Sequence, residues 1–460
     1  MKISADLILG ANQWHTGHCL EIDGSRIVGI SKSAQPDIEF KNAAIIPGFA
    51  NAHSHSFQRV IRGQTEWAHA GTRDDFWSWR TAMYQAASQL TPEQIQAVAE
   101  WTFLEMIKAG ITAVGEFHYL HHQPNGERYA QIGELSQRVI AAANRVGIRI
   151  THLPVAYARG GFNRPIVDEQ RRFVFEKPEA FLTLVDELRT RYADNETVTI
   201  GLAPHSIRAV STDWLDACQD AARYWQCPLH IHVCEQRREL EECSAEYGLT
   251  PIELLLKHTV LGDQTTLVHA THLAVEDIKH ISNTNSIVCG CPTTEANLGD
   301  GFLPSSDLLQ RNIRISLGTD SHAQIDLFQE GRCVDMQQRL LRQQRNPLAC
   351  FSQKPGSPQR SSDVIWPMMT TNGYHSLGID GGVLQPGSLA DFVVVDLAHP
   401  SCLGATSDNL LDTLVLAGQP DAIKAVFVNG KAVLQNGVAQ HEAEIRARYM
   451  STVQSLMSGS

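Results

Sequence analysis

The amino-acid sequence predicts an α/β protein, a (β/α)8 TIM barrel joined to a small β-sandwich domain formed by both chain ends. Short apolar runs alternate with longer helical patterns through the middle of the chain, and eight such runs can be counted. β-like sequence returns after Gly378. These observations place the sandwich at 1–46 and 379–460 and the barrel at 47–378, with an open doubly wound sheet as the alternative.

Eight runs are candidates for the barrel strands. Each is short, apolar and bounded by residues that favour turns, as expected of a strand buried on both faces. They lie at 43–53, 111–117, 148–156, 197–204, 228–233, 265–270, 286–290 and 313–319. Helical patterns separate them, so parallel strands with helical crossovers are favoured.

Local signals support both kinds of segment. Thr91 precedes a proline and lies three residues before Gln94, which is the pattern of a helix capping box, and Gly110 predicts the end of that helix. Near the C-terminus, Asn429-Gly430 separates two β-like runs and predicts a hairpin. The early runs ADLILG and SRIVGI predict strands of the small domain.

Charge and composition favour small-molecule chemistry. The 38 Lys and Arg against 50 Asp and Glu give a net charge of −12, which argues against binding to nucleic acid or to an anionic membrane. No apolar run approaches the length of a membrane span, and the first residues lack the pattern of a signal peptide. Ten scattered cysteines without a CxxC pair indicate a reduced, cytoplasmic protein.

The first candidate motif is His53-Ser54-His55, at the end of the first predicted strand. Residues i and i+2 of a strand point to the same side, so both imidazoles can share one cation. Such a pair is weak evidence by itself, because the chain contains twenty histidines.

Three further motifs follow later strands. His230 and His232 share a side of the fifth strand, and either could be a ligand, while Glu235 comes where that strand gives way to a loop. A carboxylate near a metal-bound water can transfer protons. His269 ends the sixth strand and Asp320 follows the eighth. Taken separately, Glu235 could be a solvent-facing residue and Asp320 a helix N-cap.

The positions of these motifs favour a metal site. A barrel presents catalytic groups at the C-terminal ends of its strands, so all of these side chains are expected at one mouth. Three histidines and one carboxylate suit a zinc ion with an open coordination position for water. At this point either His230 or His232 could be the third histidine ligand.

The motifs together resemble the amidohydrolase superfamily, specifically its mononuclear deaminase branch. The resemblance rests on PGFANAHSH at 47–55, on the HxxE after strand five, on His269 and Asp320, and on LQPGSLADFVVVD at 384–396. It implies that the metal ligands are His53, His55, His232 and Asp320. It also implies that Glu235, His269 and Asp320 are the catalytic groups. Binuclear members carry a lysine at the end of strand four, where this chain has Ala203-Pro204-His205, so one Zn2+ per chain is expected.

Within that branch, six stretches resemble the deiminases that act on N-formimino-L-glutamate. They are HSHSFQR (53–59), DDFWSWRTAMY (74–84), EFHYLHH (116–122), GLAPHSIRAV (201–210), HIHVCEQ (230–236) and CPTTEANLGDG (291–301). The resemblance implies hydrolysis to N-formyl-L-glutamate and ammonia in histidine catabolism, and it implies a homodimer. The residues implied to bind the substrate are Gln58, Arg80, Tyr119, His205 and Arg208.

The chemistry of that substrate agrees with these residue types. Formiminoglutamate carries two carboxylates at one end, and the planar guanidinium groups of Arg80 and Arg208 match carboxylates. Both arginines could instead form surface ion pairs. Two other functions stay open: a related deaminase acting on a nucleobase, nucleoside or other amidine, which would share every metal ligand, and a non-catalytic barrel that serves as a binding module.

Overall fold

The computed structural model describes residues 1–11, 13–32, 35–68, 74–353 and 358–458. Its strands are β1 Lys2–Leu9, β2 Trp14–Thr16, β3 Cys19–Asp23, β4 Arg26–Ser31, β5 Ile38–Pro47, β6 Phe49–Ser54, β7 Ile111–His118, β8 Arg149–Ala156, β9 Val198–Ile200, β10 Ala203–Pro204, β11 Leu229–Val233, β12 Thr265–His269, β13 Ile287–Gly290, β14 Ile315–Leu317, β15 Phe392–Asp396, β16 Ile423–Val428, β17 Lys431–Gln435 and β18 Val438–Ala439.

Helices separate most of the strands after β6. They are α1 Phe76–Gln89, α2 Pro92–Lys108, α3 Glu134–Val146, α4 Pro178–Arg191, α5 Thr212–Trp225, α6 Arg237–Tyr247, α7 Pro251–Lys257, α8 Val275–Thr284, α9 Pro292–Leu298, α10 Ser305–Gln310, α11 Leu327–Arg342, α12 Ser361–Met369, α13 Thr371–Ser376, α14 Leu410–Ala417 and α15 Glu442–Ser458. Short 3-10 helices lie at Ser56–Ile61, Asp168–Gln170, Pro347–Phe351 and Pro420–Ala422. Among the helices described, none has both the length and the apolar character that crossing a bilayer requires.

Both chain ends contribute to the small β domain, as the sequence predicts. Its strands pair in the order β18-β17-β16-β15-β5-β1-β3-β4, with β2 beside β1. The sheet folds over its own apolar side, because Arg26 of β4 forms a backbone bridge to Leu389, just before β15. The enclosed core includes Ile45 and the stacked rings of Phe392 and Phe427, whose centroids are 4.4 Å apart. The Asn429-Gly430 turn joins β16 and β17 with both residues at positive φ, as a tight hairpin requires.

The middle of the chain forms the ring of parallel strands that the sequence predicts. One sheet contains β6, β7, β8 and the short pair β9 and β10, and a second contains β11 to β14. Parallel backbone bridges join the two sheets at both edges: Leu202 pairs with Leu229, and Ser54 pairs with Asp320. Because β9 and β10 share one place in the ring, eight strand positions close into a barrel, and the fold class is confirmed.

The predicted first strand is two strands. The run 43–53 divides at Gly48: β5 belongs to the small sheet, and β6 begins the barrel. A Cβ atom at Gly48 would lie 2.1 Å from Oγ1 of Thr112, so the chain can pass between the two domains only without a side chain there. A continuous apolar run carries no periodicity that marks such a change of sheet, which is why the sequence pattern missed it.

The helix predicted from the Thr91 capping box is confirmed as α2. The Thr91 amide donates to Oε1 of Gln94 at 3.0 Å, and the Gln94 amide donates to Oγ1 of Thr91 at 3.3 Å. The final helix, α15, packs against α2 through an ion pair between Lys108 and Glu442 at 2.6 Å. The end of the chain therefore contacts the barrel as well as the small domain, and the predicted domain limits remain a prediction.

A buried ion pair connects the barrel to the small domain. Arg149 of β8 and Asp391 are 3% and 2% exposed, and Nε and Nη2 of Arg149 donate to the two carboxylate oxygens of Asp391 at 2.9 and 3.2 Å. The Tyr374 hydroxyl and the Asn429 amide also donate to Asp391, at 3.1 and 2.7 Å. A fully hydrogen-bonded arrangement of this kind offsets the cost of burying two charges.

We expect Asp391→Ala to lower the free energy of unfolding by about 3–5 kcal/mol, because it leaves the Arg149 guanidinium buried without a counter-charge. Chemical denaturation followed by circular dichroism measures the change. The matched control is Glu39→Ala, which removes an exposed pair with Lys41 at 3.9 Å and should cost less than about 1 kcal/mol. Equal losses in the two variants would contradict the role given to the buried pair.

Candidate active site

A cavity opens at the C-terminal ends of the barrel strands. Helix α1 forms part of its wall with Phe76, Trp77 and Arg80. The cavity contains every side chain that the sequence resemblance assigns to substrate binding, together with most of the predicted catalytic and metal-binding groups. Those at the cavity wall are His55, Gln58, Arg80, Tyr119, His205, Arg208, His232, Glu235, His269 and Asp320.

The four predicted metal ligands meet at the bottom of this cavity. Nε2 of His53 lies 3.1 Å from Nε2 of both His55 and His232. Oδ1 of Asp320 lies 3.2 Å from Nε2 of His53 and 3.3 Å from Nε2 of His55. All four side chains are buried, and one ligand atom from each lies within 4.8 Å of the others. The pairing of β6 with the segment after β14 thus brings together residues about 270 positions apart.

Backbone carbonyls set the tautomers of two of these histidines. Nδ1 of His55 donates to the Phe117 carbonyl at 2.8 Å, and Nδ1 of His232 donates to the His205 carbonyl at 3.1 Å. Because Nδ1 holds the proton, each Nε2 presents a lone pair to the others, which is unfavourable unless a cation lies between them. Three imidazole nitrogens and one carboxylate oxygen are a donor set that zinc accepts, so these residues fit a divalent metal ion.

The electrostatics of the cluster also suit a metal. Burial lowers the pKa of His53 to about 3 and lowers the pKa of His55 and His232, so the imidazoles are neutral at pH 7. Burial opposes ionisation of Asp320, but its hydrogen bond with His53 and the neighbouring histidines hold its pKa below the usual range. Neutral imidazole and ionised carboxylate are the forms that bind metal ions.

Unusual backbone conformations aim two of the groups into the mouth. His269 has a φ of 71° and Asp320 a φ of 44°, in the left-handed region that residues with a side chain rarely adopt. Strained residues of this kind concentrate at functional sites, where surrounding contacts hold them in place. Here the barrel strands end at these positions, and the turn directs both side chains inward.

Gly318 lies close to the backbone and Cβ of His53, behind the ligand cluster. A Cβ atom at this position would lie 2.7 Å from Cβ and 2.9 Å from the backbone nitrogen of His53. Neither atom can move without moving β6, so only glycine allows β14 to pack against the strand that carries two of the ligands.

Glu235 and His269 lie beside the ligand cluster. Nε2 of His269 is 3.7 Å from Oε1 of Glu235 and 4.0 Å from Oδ2 of Asp320, while Nδ1 is 3.5 Å from Oε1 of Glu295. Burial disfavours the charged imidazole, but the surrounding carboxylates raise the pKa of His269 well above its ordinary value. Sequence reasoning assigned no role to Glu295, whose only signal was its place in the stretch 291–301, after the seventh strand.

Arg208 pairs with two buried carboxylates. Its Nη2 donates to Oε2 of Glu235 at 3.1 Å, and its Nε lies 3.6 Å from Oε2 of Glu239. Glu239 also accepts from the Cys234 amide at 3.1 Å. Burial raises the pKa of Glu239 to about 7, although Arg208 opposes the rise. Sequence reasoning missed Glu239, because a glutamate near the start of a helix is ordinarily a solvent-exposed residue.

Arg80 differs from Arg208 in its partners. Among the described residues it has no carboxylate within ion-pair distance, and its guanidinium carbon lies 4.6 Å from the ring centre of Trp77 and 5.5 Å from that of Tyr84. Arg208 approaches the same Trp77 ring at 5.9 Å. Arg238, which pairs with Glu242, also lies 4.7 Å from the ring centre of Trp77, and positive charges gathered in this way favour an anion beside them.

Gln58, Tyr119 and His205 complete the wall. Nε2 of Gln58 donates to the Tyr119 hydroxyl at 2.9 Å, while Oε1 of Gln58 is buried and has no hydrogen bond among the described residues. Burial and the neighbouring Arg208 hold the pKa of His205 well below its ordinary value, so its imidazole is neutral. His205 has a second function that the sequence did not show, since its carbonyl orients His232.

We expect Gly318→Ala to displace His53 and lower the affinity for a divalent metal by at least tenfold, because the added methyl group and β6 cannot occupy the same space. Metal content after dialysis, measured by elemental analysis, reports the change. Gly262→Ala is the control, since a Cβ atom there meets nothing within 4 Å. Full metal content in Gly318→Ala would show that β6 can shift without cost.

Comparisons with known proteins show the family of this chain. Residues 44–433 match the model of the amidohydrolase family. The chain is 36% identical over 425 residues to a formimidoylglutamate deiminase from Pseudomonas aeruginosa, and the match covers 91% of each protein. The crystal structure of an amidohydrolase from Brucella melitensis superposes with a TM-score of 0.90 at 34% identity, covering 99% of both chains.

A more distant structure shows the same fold. An adenosine deaminase from Xanthomonas campestris, solved with bound zinc, superposes with a TM-score of 0.82 at 20% identity and covers 99% of this chain and 98% of its own. The family model spans the barrel and much of the small domain, and one relative exceeds 30% identity over nearly the whole length. The chain therefore belongs to the amidohydrolase family of hydrolases.

Proposed function

We propose that this protein hydrolyses N-formimino-L-glutamate to N-formyl-L-glutamate and ammonia with one bound zinc ion. One observation carries the proposal: the cavity lined by three of the four metal ligands, His55, His232 and Asp320, is also lined by Arg80 and Arg208, which both approach the Trp77 ring. The likeness to a formimidoylglutamate deiminase supports it. A place in histidine degradation and a homodimer belong to the same proposal and rest on that likeness alone.

The charge of the cavity wall favours a dianionic substrate. Arg80 has no protein carboxylate beside it within the described part of the chain, so its charge is available to a ligand carboxylate. Arg208 is shared between Glu235 and Glu239, and it can hold a second carboxylate through Nη1, the guanidinium nitrogen that these two residues do not contact. A nucleobase has no carboxylate and would gain nothing from two such arginines.

His53, His55, His232 and Asp320 would hold the zinc ion. When bound, zinc lowers the pKa of a coordinated water toward neutrality and so supplies hydroxide at pH 7. Glu235 lies at the edge of the ligand cluster, where one of its carboxylate oxygens takes the proton from the water and delivers it to the departing nitrogen of the substrate.

The neighbours of Glu235 position it for this task. Arg208 donates to Oε2, which leaves Oε1 facing His269 and the ligand cluster. The surrounding carboxylates raise the pKa of His269, so it can orient the attacking water with Asp320 and donate to the heteroatoms on which negative charge develops as water adds to the formimino carbon. Glu295 fixes the ring of His269 from the opposite nitrogen.

The neutral groups of the wall complete substrate recognition. Oε1 of Gln58 is a buried acceptor without a hydrogen bond, and such an atom costs free energy unless a ligand donates to it. We assign it to an N–H of the substrate. The Tyr119 hydroxyl and the His205 imidazole add hydrogen bonds without adding charge.

Ammonia release from a panel of substrates tests the proposal. We expect zinc-loaded protein to release ammonia from N-formimino-L-glutamate and not from adenosine, guanine or cytosine. Glu235→Gln is the matched inactive variant: it should retain its zinc and lose at least a thousandfold in kcat, because the proton acceptor is gone. Turnover of a nucleoside or nucleobase, without turnover of formiminoglutamate, would refute the proposed substrate.

Arg80→Gln tests the recognition of the carboxylates. Loss of one charge-assisted hydrogen bond costs about 1.5–3 kcal/mol, so KM for N-formimino-L-glutamate should rise about 10- to 100-fold while kcat changes little. N-formiminoglycine, with one carboxylate, should lose less. Arg164→Gln is the control, because Arg164 lines the same cavity and already pairs with Glu242 at 2.7 Å. Equal KM values for wild type and Arg80→Gln would remove Arg80 from the site.

A further inference from the structure

We propose that the protein has a second cation site beside the cluster of three histidines and one aspartate. It is formed by Cys291, His269 and Asp320, and it accepts a thiophilic divalent ion such as cadmium or excess zinc. One ligand atom from each of these three side chains lies within 4.8 Å of the other two, and all three are buried. A thiolate, an imidazole and a carboxylate are each ligands of such ions. None of the functions assigned above uses Cys291.

Asp320 can serve both sites because its two oxygens face different partners. Oδ1 lies 3.2 and 3.3 Å from the Nε2 atoms of His53 and His55, in the first cluster. Oδ2 lies 4.0 Å from Nε2 of His269, on the side of the second site. A carboxylate that bridges two ions a few ångströms apart is common in two-metal centres. The second ion therefore does not need to remove a ligand from the first.

The surroundings of His269 are rich in negative charge. Glu235, Glu295 and Asp320 all lie within 4.0 Å of its ring nitrogens. Oε2 of Glu295 and Nδ1 of His269 are buried, and among the described residues neither forms a hydrogen bond. Nearby Asp300 has its pKa raised to about 9, by burial first and then by Glu235. A cation placed beside Nε2 of His269 would reduce the repulsion among these carboxylates.

The thiol selects the class of ion. Cys291 is buried, and a cysteine binds a metal ion as the thiolate, after the thiol has lost its proton. A metal ion must displace that proton to bind, and only ions with a strong preference for sulfur do so. Magnesium and calcium prefer oxygen ligands and are excluded by this chemistry.

Occupation of the second site would tie His269 to a metal ion. This consequence rests on the proposed function. If His269 orients the attacking water, a metal ion bound to His269 prevents it from doing so, and excess metal inhibits the hydrolysis. The site itself rests only on Cys291, His269 and Asp320, so its occupancy can be measured without any substrate.

Cadmium titration of the zinc-loaded full chain tests the inference. The exposed cysteine, Cys350, is first replaced by serine to remove an accessible thiol. We expect the sum of zinc and cadmium to rise from one to two ions per chain, with an ultraviolet band from charge transfer between thiolate and cadmium. The first cluster contains no sulfur, so simple exchange of zinc for cadmium leaves the sum at one and produces no band.

Two substitutions in this background locate the site. Cys291→Ser should bind one ion in total and show no band, while Cys289→Ser, a buried cysteine two residues away, should keep both. A sum that stays at one in the parent chain, the absence of the band there, or a second ion that persists in Cys291→Ser would each overturn the proposal. The first two outcomes are measured on the parent chain, so they would overturn the proposal even if the Cys291→Ser variant failed to fold. Two bound ions in a protein that fails to deiminate formiminoglutamate would uphold the site and refute the substrate.

Discussion

The contact between β6 and the end of β14 is the constraint on which the site depends. It closes the barrel, and it brings the ligands His53 and His55 against Asp320. The Asp320 amide donates to the His53 carbonyl at 3.0 Å, and the His55 amide donates to the Asp320 carbonyl at 3.1 Å. The backbone that carries the ligands is thus the same backbone that closes the ring, so the metal site and the fold cannot be altered separately.

Side chains behind the contact between β6 and the end of β14 hold the two segments in register. Nδ2 of Asn51 donates to Oγ1 of Thr319 at 2.7 Å, and the Thr319 amide donates to Oδ1 of Asn51 at 2.9 Å. Glu116 of β7 accepts from the hydroxyls of Ser54 and Ser56, at 2.6 and 2.5 Å, and burial raises its pKa to about 7. These bonds are buried and mutually satisfied, which makes the loop that carries His55 rigid. A rigid support of this kind keeps metal ligands in place before the ion binds.

Local sequence patterns predicted part of this site and missed the rest. Strand ends, the i and i+2 spacing of His53 and His55, and the glutamate after strand five are local patterns, and they predicted a cluster that the structure brings together. The buried partners Glu239 and Glu295 escaped notice, because an isolated glutamate carries no sign of which charge it will meet. The division of one apolar run at Gly48 was missed for a similar reason, since the change of sheet depends on Thr112, far along the chain.

By itself, the sequence determined the eight strand positions, the association of both chain ends and the histidines and carboxylates at the strand ends, because strand periodicity and turn residues act over a few positions. The substrate-binding residues followed from the family resemblance. The tertiary structure decided the rest. Only the packed barrel shows that Arg208 is paired with Glu235 and Glu239 while Arg80 has no carboxylate among the described residues, and only it places Cys291 beside His269. Burial and charge pairing depend on groups distant in sequence, so no local pattern encodes them.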